Sequence, residues 1–253
     1  MSQIYSRSEK GQVRKRNEDS ILAELWPDGD EPDGLTAIMA VADGMGGHDR
    51  GDWASSTAIE AIRSVLESGN THSPLEFVTG CISRANKEIL TGSVPGISKK
   101  PPGTTLTIAV ISGNSSTIGH VGDSRAYLFR DGSITQLTKD DTILREMIEN
   151  GQIDPEKASE SIIQGQLTES VGLRRTVEPQ MIEQPLEQGD ILLLCSDGLT
   201  GMLGDDEIGG IITVAESINE AGDALISTAE NAGGHDNISV ALYSHGTWKS
   251  KIS

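Results

Sequence analysis

Residues Ala37–Gly44, AIMAVADG, run an unbroken apolar segment straight into an aspartate and a glycine. A short apolar run bounded by turn residues reads as a strand buried on both faces. The pattern recurs at Ile191–Gly198, ILLLCSDG, and in mirror image where Asp236-Asn237 stands before the apolar run Ile238–Tyr243. Asp19 opens the first strand of the chain, and Asp123 stands between two others. An aspartate at the lip of a buried strand is held rigidly, and several lips can converge on one edge of a sheet assembly. Any one of these Asp-Gly pairs is also ordinary turn chemistry. Together they point to a site, because such apolar strands supply few other polar groups at their ends.

Outward from these strands, the chain alternates strands and helices in blocks. Ser20–Leu25 and Leu35–Ala42 read as strands joined by the turn-rich WPDGDEPDG. From Asp52 the period changes, with Ala54, Ala58, Ala61, Ile62 and Val65 at helical spacing. Pro74 opens a second helix with Val78, Cys81, Ile82, Ala85 and Ile89 on one face. Beyond the Gly/Pro/Lys loop Gly92–Gly103, strands are expected at Thr104–Ile111, Ser115–Val121, Arg125–Arg130 and Ser133–Leu137. Asp131-Gly132 and Ser112-Gly113-Asn114 are hairpin turns by composition. Asp140–Arg175 is polar and partly helical, its apolar face made by Ile143, Leu144, Met147 and Ile148. Further strands are expected at Val177–Glu183, Asp190–Cys195 and Asn237–Tyr243, with helices at Asp205–Val214 and Glu216–Asn231. Sequential hairpins with segregated helix pairs predict an α+β fold of antiparallel sheets covered by helices. No repeat or long linker divides the 253 residues, so a single domain spanning 1–253 is expected.

The balance of 20 Lys+Arg against 38 Asp+Glu gives a formal charge of −18. Such a surface repels nucleic acid and anionic membrane, and neither is expected as a partner. Cys81 and Cys195 lie in apolar stretches and read as buried reduced thiols, not as a disulfide framework. The segment MSQIYSRSEK has no apolar h-region, and no run approaches the roughly 20 residues of a membrane helix. A cytoplasmic, monomeric protein is the expectation.

Clustered carboxylates need cations or protons between them at neutral pH. Oxygen donors without Cys or His at ligand spacing favour hard ions, Mg²⁺ or Mn²⁺, over Zn²⁺. Two such ions would lower the pKa of a shared water and make it a nucleophile for phosphorus. The short basic run Arg14-Lys15-Arg16 stands just before Asn17-Glu18-Asp19. It reads either as a solvated charge run or as a phosphate contact, since arginine grips phosphate bidentately.

These residues resemble the opening motifs of the metal-dependent serine/threonine protein phosphatases, the PPM or type 2C family. The likeness starts with Arg14…Asn17-Glu18-Asp19 and Val41-Ala42-Asp43-Gly44-Met45-Gly46-Gly47-His48. It continues through Gly103-Thr104-Thr105, Gly119–Arg125 and Leu137-Thr138-Lys139-Asp140. Cys195-Ser196-Asp197-Gly198-Leu199 and Gly234-His235-Asp236-Asn237 complete the order, and the Asp-Gly-Met-Gly-Gly-His variant is similar to the bacterial branch. The resemblance implies a four-layer αββα sandwich. It implies that Asp43 bridges two Mn²⁺ or Mg²⁺ ions, that the Gly44 carbonyl serves one, and that Asp197 and Asp236 serve the other. It further implies that Asp19 acts through metal-bound water, Asp123 at a third ion, and Arg14 on phosphate. Residues 140–175 would be the flap beside the site. Expected partners are phosphoserine and phosphothreonine proteins, with a Ser/Thr kinase among them.

Where many eukaryotic members carry a histidine credited as general acid, this chain has Met45, whose thioether donates no proton. His48 is a candidate substitute, and His120 and His235 read as packing or supporting groups. Two other readings remain open at this level: a phosphoprotein-binding module without turnover, and an acidic Ca²⁺-binding protein. The intact set Asp19, Asp43, Asp197 and Asp236 argues against the first.

Overall fold

The computed structural model describes residues 1–26, 34–46, 50–69, 73–93, 101–154, 163 and 165–248. Among these residues, eleven strands and six helices follow in the order β1 (Gln3–Glu9), β2 (Asp19–Leu25), β3 (Ala37–Met45), α1 (Gly51–Ser68), α2 (Pro74–Gly92), β4 (Gly103–Thr104), β5 (Leu106–Ser112), β6 (Ser115–Val121), β7 (Arg125–Arg130), β8 (Ser133–Gln136), α3 (Ile143–Glu149), β9 (Gln180–Pro185), β10 (Ile191–Cys195), α4 (Asp197–Thr200), α5 (Asp205–Val214), α6 (Ile218–Asn231) and β11 (Ile238–Ser244). They build two antiparallel sheets, β1-β11-β10-β7-β8 and β2-β3-β5-β6-β9, with β4 paired to β3.

The unbroken apolar runs are explained by where their alternate side chains go. In β3, Ile38, Ala40 and Ala42 pack under α1 and α2, while Ala37, Met39 and Val41 face the other sheet. In β10, Ile191, Leu193 and Cys195 pack under α5 and α6, while Leu192 and Leu194 turn inward. β11 divides in the same way, with Val240 and Leu242 outward and Ala241 and Tyr243 inward. Each sheet is therefore buried on both faces. Three apolar layers separate four structural ones, and the α+β expectation holds as an αββα sandwich. Alanines at 54, 58 and 61 in α1 let that helix lie close on its sheet. Cys81 and Cys195 sit unpaired in the two outer cores, where burial pushes both thiols up.

Differences from the sequence expectations lie at edges and ends. β1 is absent from the sequence reading, because QIYSRSE is a half-exposed edge strand paired only to β11. β3 continues through Asp43-Gly44-Met45 instead of stopping at Ala42, because Gly44 and Met45 pair with Thr104 and Gly103. β9 begins three residues later than expected, at Gln180, where pairing to His120 starts. Asp197–Thr200 forms a one-turn helix where the sequence shows only a turn. Much of the expected loop 92–103 lies outside the described residues.

Candidate active site

The two sheets present their acidic ends on the same side of the sandwich. Asp43 at the end of β3 lies directly opposite Asp19 in the β2–β3 register. Asp197 follows β10 and Asp236 precedes β11 in the other sheet. Asp123 lies where the chain crosses from β6 in one sheet to β7 in the other. Asp43, Gly44, Met45, Asp123, Asp197 and Asp236 line one cavity of about 250 Å³, with Arg14 and Glu18 at its wall. Asp19 stands just beneath it and is buried.

Hydroxyl side chains hold the Asp43 backbone and the Asp19 carboxylate. The Asp43 backbone is held on both sides: its N–H donates to Thr105 Oγ1 at 2.9 Å, and its carbonyl accepts from Thr104 Oγ1 at 2.8 Å. Asp19 Oδ2 accepts from Ser196 Oγ and Ser239 Oγ at 2.8 and 2.7 Å, both across the seam between the sheets. Gly44 admits no side chain, since a Cβ there would stand 2.1 Å from the Gly51 carbonyl oxygen. That close approach brings the start of α1 against the rim. His120 is buried and contacts Thr107 Oγ1 and the Lys139 carbonyl, so it is a supporting group. His235 is exposed instead, its ring lying against Gly233. His48 lies outside the described residues.

Arg14 Nη2 donates to Asp236 Oδ2 at 2.5 Å, with both side chains partly exposed at the cavity mouth. The loop that carries Arg14 hangs on Asn237. The buried Asn237 side chain accepts from the Glu18 N–H at 2.7 Å and donates to the carbonyls of Lys10 and Arg16, both at 2.9 Å. Gly11 lets this loop turn beside the site, with φ +74° and only 2.1 Å between a would-be Cβ and the Asp236 carbonyl oxygen. Asn237 and Glu18 have functional positions that the sequence reading quoted within motifs without assigning roles. Their one signal was adjacency to Asp236 and Asp19.

The electrostatics report an excess of negative charge. Burial, then the nearby Asp19 and Asp197, pushes Asp43 well above the carboxylate range. Burial raises Asp19 to about 7 and Asp123 to about 8, with neighbouring aspartates adding to both. Asp197 is raised by burial and by Asp236. One carboxylate oxygen each of Asp19 and Asp197 is buried with no hydrogen-bond partner. Among the described residues, no three acidic, His or Cys groups already close on one point as a finished metal cage. The oxygens surround a space, and among the described residues the one positive charge lining it is Arg14. Orphaned, mutually repelling carboxylates without sulfur or imidazole fit hard divalent cations.

Residues after α3 return to the rim of this cavity. Thr142 and Leu167 form an isolated bridge, and the Thr168 N–H donates to the Asp141 carbonyl at 2.8 Å. Asp141 also accepts from the Gly122 N–H at 2.9 Å, beside Asp123. Gly165 and Leu167 thereby join the lining.

An acidic cavity with one arginine at its mouth, built at the end of a double sheet, defines a metal-assisted phosphoryl-hydrolase type of site. Residues 12–242 match the protein phosphatase 2C family, and the chain belongs to that family of metal-dependent serine/threonine protein phosphatases. It is 33% identical over 240 residues to the serine/threonine phosphatase stp of Listeria monocytogenes, covering 93% of each chain. It is 34% identical over 241 residues to the serine/threonine protein phosphatase PstP of Mycobacterium tuberculosis, covering 94% of this chain but 44% of that protein. The chain thus spans less than half the length of PstP. Among solved structures, the Streptococcus agalactiae serine/threonine phosphatase superposes with a TM-score of 0.87 at 30% identity, covering 96% of this chain and 99% of that one. The PstP catalytic domain in complex with two manganese ions gives 0.84 at 32% identity, covering 97% and 99%.

Proposed function

We propose that this protein hydrolyses phosphoserine and phosphothreonine in proteins, in a site that takes two Mn²⁺ or Mg²⁺ ions and has room for a third beside Asp123. The observation that carries the reading is the convergence of Asp43, Asp197, Asp236 and Asp123 with Arg14 on one cavity. Asp43, the Gly44 carbonyl, Asp197 and Asp236 would hold the ions, and the buried Asp19, fixed by Ser196 and Ser239, would support that set from below. When bound, the ions supply Lewis acidity, which activates water and offsets phosphate charge. Arg14 swings from Asp236 to the phosphoryl oxygens and orients the group for in-line displacement. The described part of the wall offers no thiol or serine hydroxyl at the cavity, in keeping with direct hydrolysis without a phosphoenzyme.

Residues 1–253 are proposed to act as one catalytic domain, monomeric and cytoplasmic, with a Ser/Thr kinase among its substrates. Among the described residues no helix is long and apolar enough to cross a membrane, which supports that placement. The test is hydrolysis of an aryl phosphate and a phosphothreonine peptide after chelation and after return of Mn²⁺. Activity that follows the metal supports the reading, while metal binding without hydrolysis of either substrate replaces it with a binding module.

A further inference from the structure

A second cavity of about 230 Å³ opens beside the first and shares Met45, Gly165 and Leu167 with it. Its remaining walls include Leu173, Thr168 and Ser170, with Glu169 and Arg174 at the side. Pockets for whole small molecules run to roughly 300–1,000 Å³. Each of these two is smaller, so each takes a group instead of a molecule. If the first receives the phosphoryl group, the second stands where a neighbouring side chain of the same substrate must go.

The lining says which kind of side chain. Met45, Leu167 and Leu173 give it an apolar side, Thr168 and Ser170 add neutral polar groups, and its charges cancel because Arg174 Nη1 pairs with Glu169 Oε2 at 3.3 Å. Leu173 is 39% exposed, one of few large apolar side chains so placed among the described residues. It is not a loose loop residue. The buried Asn86 of α2 accepts from the Gly172 N–H at 2.7 Å and donates to the Arg174 carbonyl at 3.0 Å, which clamps the backbone on both sides of Leu173. Val171 is bonded to Thr104 of β4, and Gly103 lies under the leucine side chain. The fold thus holds an apolar side chain out to solvent, fixed, at the edge of the catalytic cavity.

We propose that this second cavity is a specificity subsite that seats a large aliphatic side chain next to the phosphorylated residue. The proposal rests on the phosphatase reading above. Burial of one such side chain from water is large enough to set a preference of tenfold or more.

The test is kcat/KM on phosphothreonine peptides that differ at one flanking position, either side in turn, with Leu, Gly, Asp or Lys. Each protein is referenced to its own rate on the peptide with Gly at that position, which has no side chain to seat in the second cavity. At one position Leu is expected to exceed Gly, Asp and Lys by about tenfold. Leu173→Ser should reduce that ratio to about threefold or less, and Leu173→Met should keep it. Leu173 is exposed, so both variants leave the cores intact, and circular dichroism verifies it. Equal rates on all peptides, or a preference for Asp or Lys, overturn the subsite while the phosphatase reading stands. A preference for Leu that survives Leu173→Ser also overturns it. No hydrolysis of peptide or aryl phosphate with Mn²⁺ overturns the phosphatase reading and the subsite together.

Discussion

Asp19 and Asp43 stand face to face in the antiparallel register of β2 and β3, two carboxylates where a stable ladder would avoid like charges. The serine hydroxyls at 196 and 239 hold Asp19 in that position from the opposite sheet. The arrangement costs stability in the free protein and becomes favourable only when positive charge enters the cavity.

Asp43→Asn is therefore expected to act in opposite directions on fold and function. Removing one of the facing charges should raise the melting temperature of the metal-free protein by a few degrees. The same change should abolish most of the melting-temperature rise on adding Mn²⁺ and lower kcat by roughly a thousandfold or more. Thermal scans with and without Mn²⁺, beside kinetics at saturating metal, measure both. A variant with near-normal turnover would refute the metal assignment of Asp43.

Stability should depend on pH in a direction opposite to ordinary acid unfolding. Asp19 at about 7 and Asp123 at about 8 hold protons in the folded state that they lose near pH 4 when unfolded. The folded state binds more protons between those limits, so unfolding free energy falls as pH rises through 7 and 8. In chelator, the melting temperature should drop by roughly 5–10 °C between about pH 6 and pH 8.5. With Mn²⁺ present the drop should largely vanish. Equal slopes in the two conditions would mean that these carboxylates are not the groups responsible.

Arg14 bridges cavity and loop, so its removal should be felt chiefly in substrate binding. Arg14→Ala is expected to lower kcat/KM for a phosphopeptide by about 10–100-fold, in the range of a charge-assisted contact. Arg14→Lys should recover little, because lysine lacks the planar fork. Arg16→Ala should be much milder. Steady-state kinetics on the three variants decides, and equal losses at 14 and 16 would favour a diffuse electrostatic role.

Met45 lines both cavities and carries no proton to give. Turnover should fall steeply with leaving-group pKa across a series of phosphate monoesters. Met45→His should flatten that dependence, helping the most basic leaving groups by up to about 10²-fold. The observable is the slope of log kcat against leaving-group pKa, with chemistry rate-limiting. A flat slope in the parent protein would reveal another acid already in place.

Most of the sandwich was legible because its inner strands are apolar on both faces, and such runs survive in sequence as ILLLC or AIMAVA. The five aspartates were legible for a related reason: each interrupts or borders one of those runs. β1 was not, since an edge strand pairs through its backbone and leaves QIYSRSE free to look like a loop. Nor were the supporting contacts. Asn237 binds the backbone of residues 10, 16 and 18 across more than two hundred positions, and Ser196 and Ser239 reach Asp19 across a similar span. Periodicity and local spacing carry no trace of partners so distant. The shared wall of the two cavities was equally hidden, because Met45 and Leu167 meet only after the polar segment folds back.

The division of the aspartates between two sheets has a mechanical consequence. One sheet supplies Asp19 and Asp43, the other Asp197 and Asp236, and between them an apolar layer of Met39, Val41, Leu192, Leu194 and their neighbours keeps the sheets in alignment. The cavity is therefore a vernier between two plates: a slip of a fraction of an ångström in that interior layer spoils the spacing of the acids, however intact each plate remains. Neither half carries a partial site that could work alone, and the greasy seam far from any substrate sets the tolerance to which the chemistry is machined.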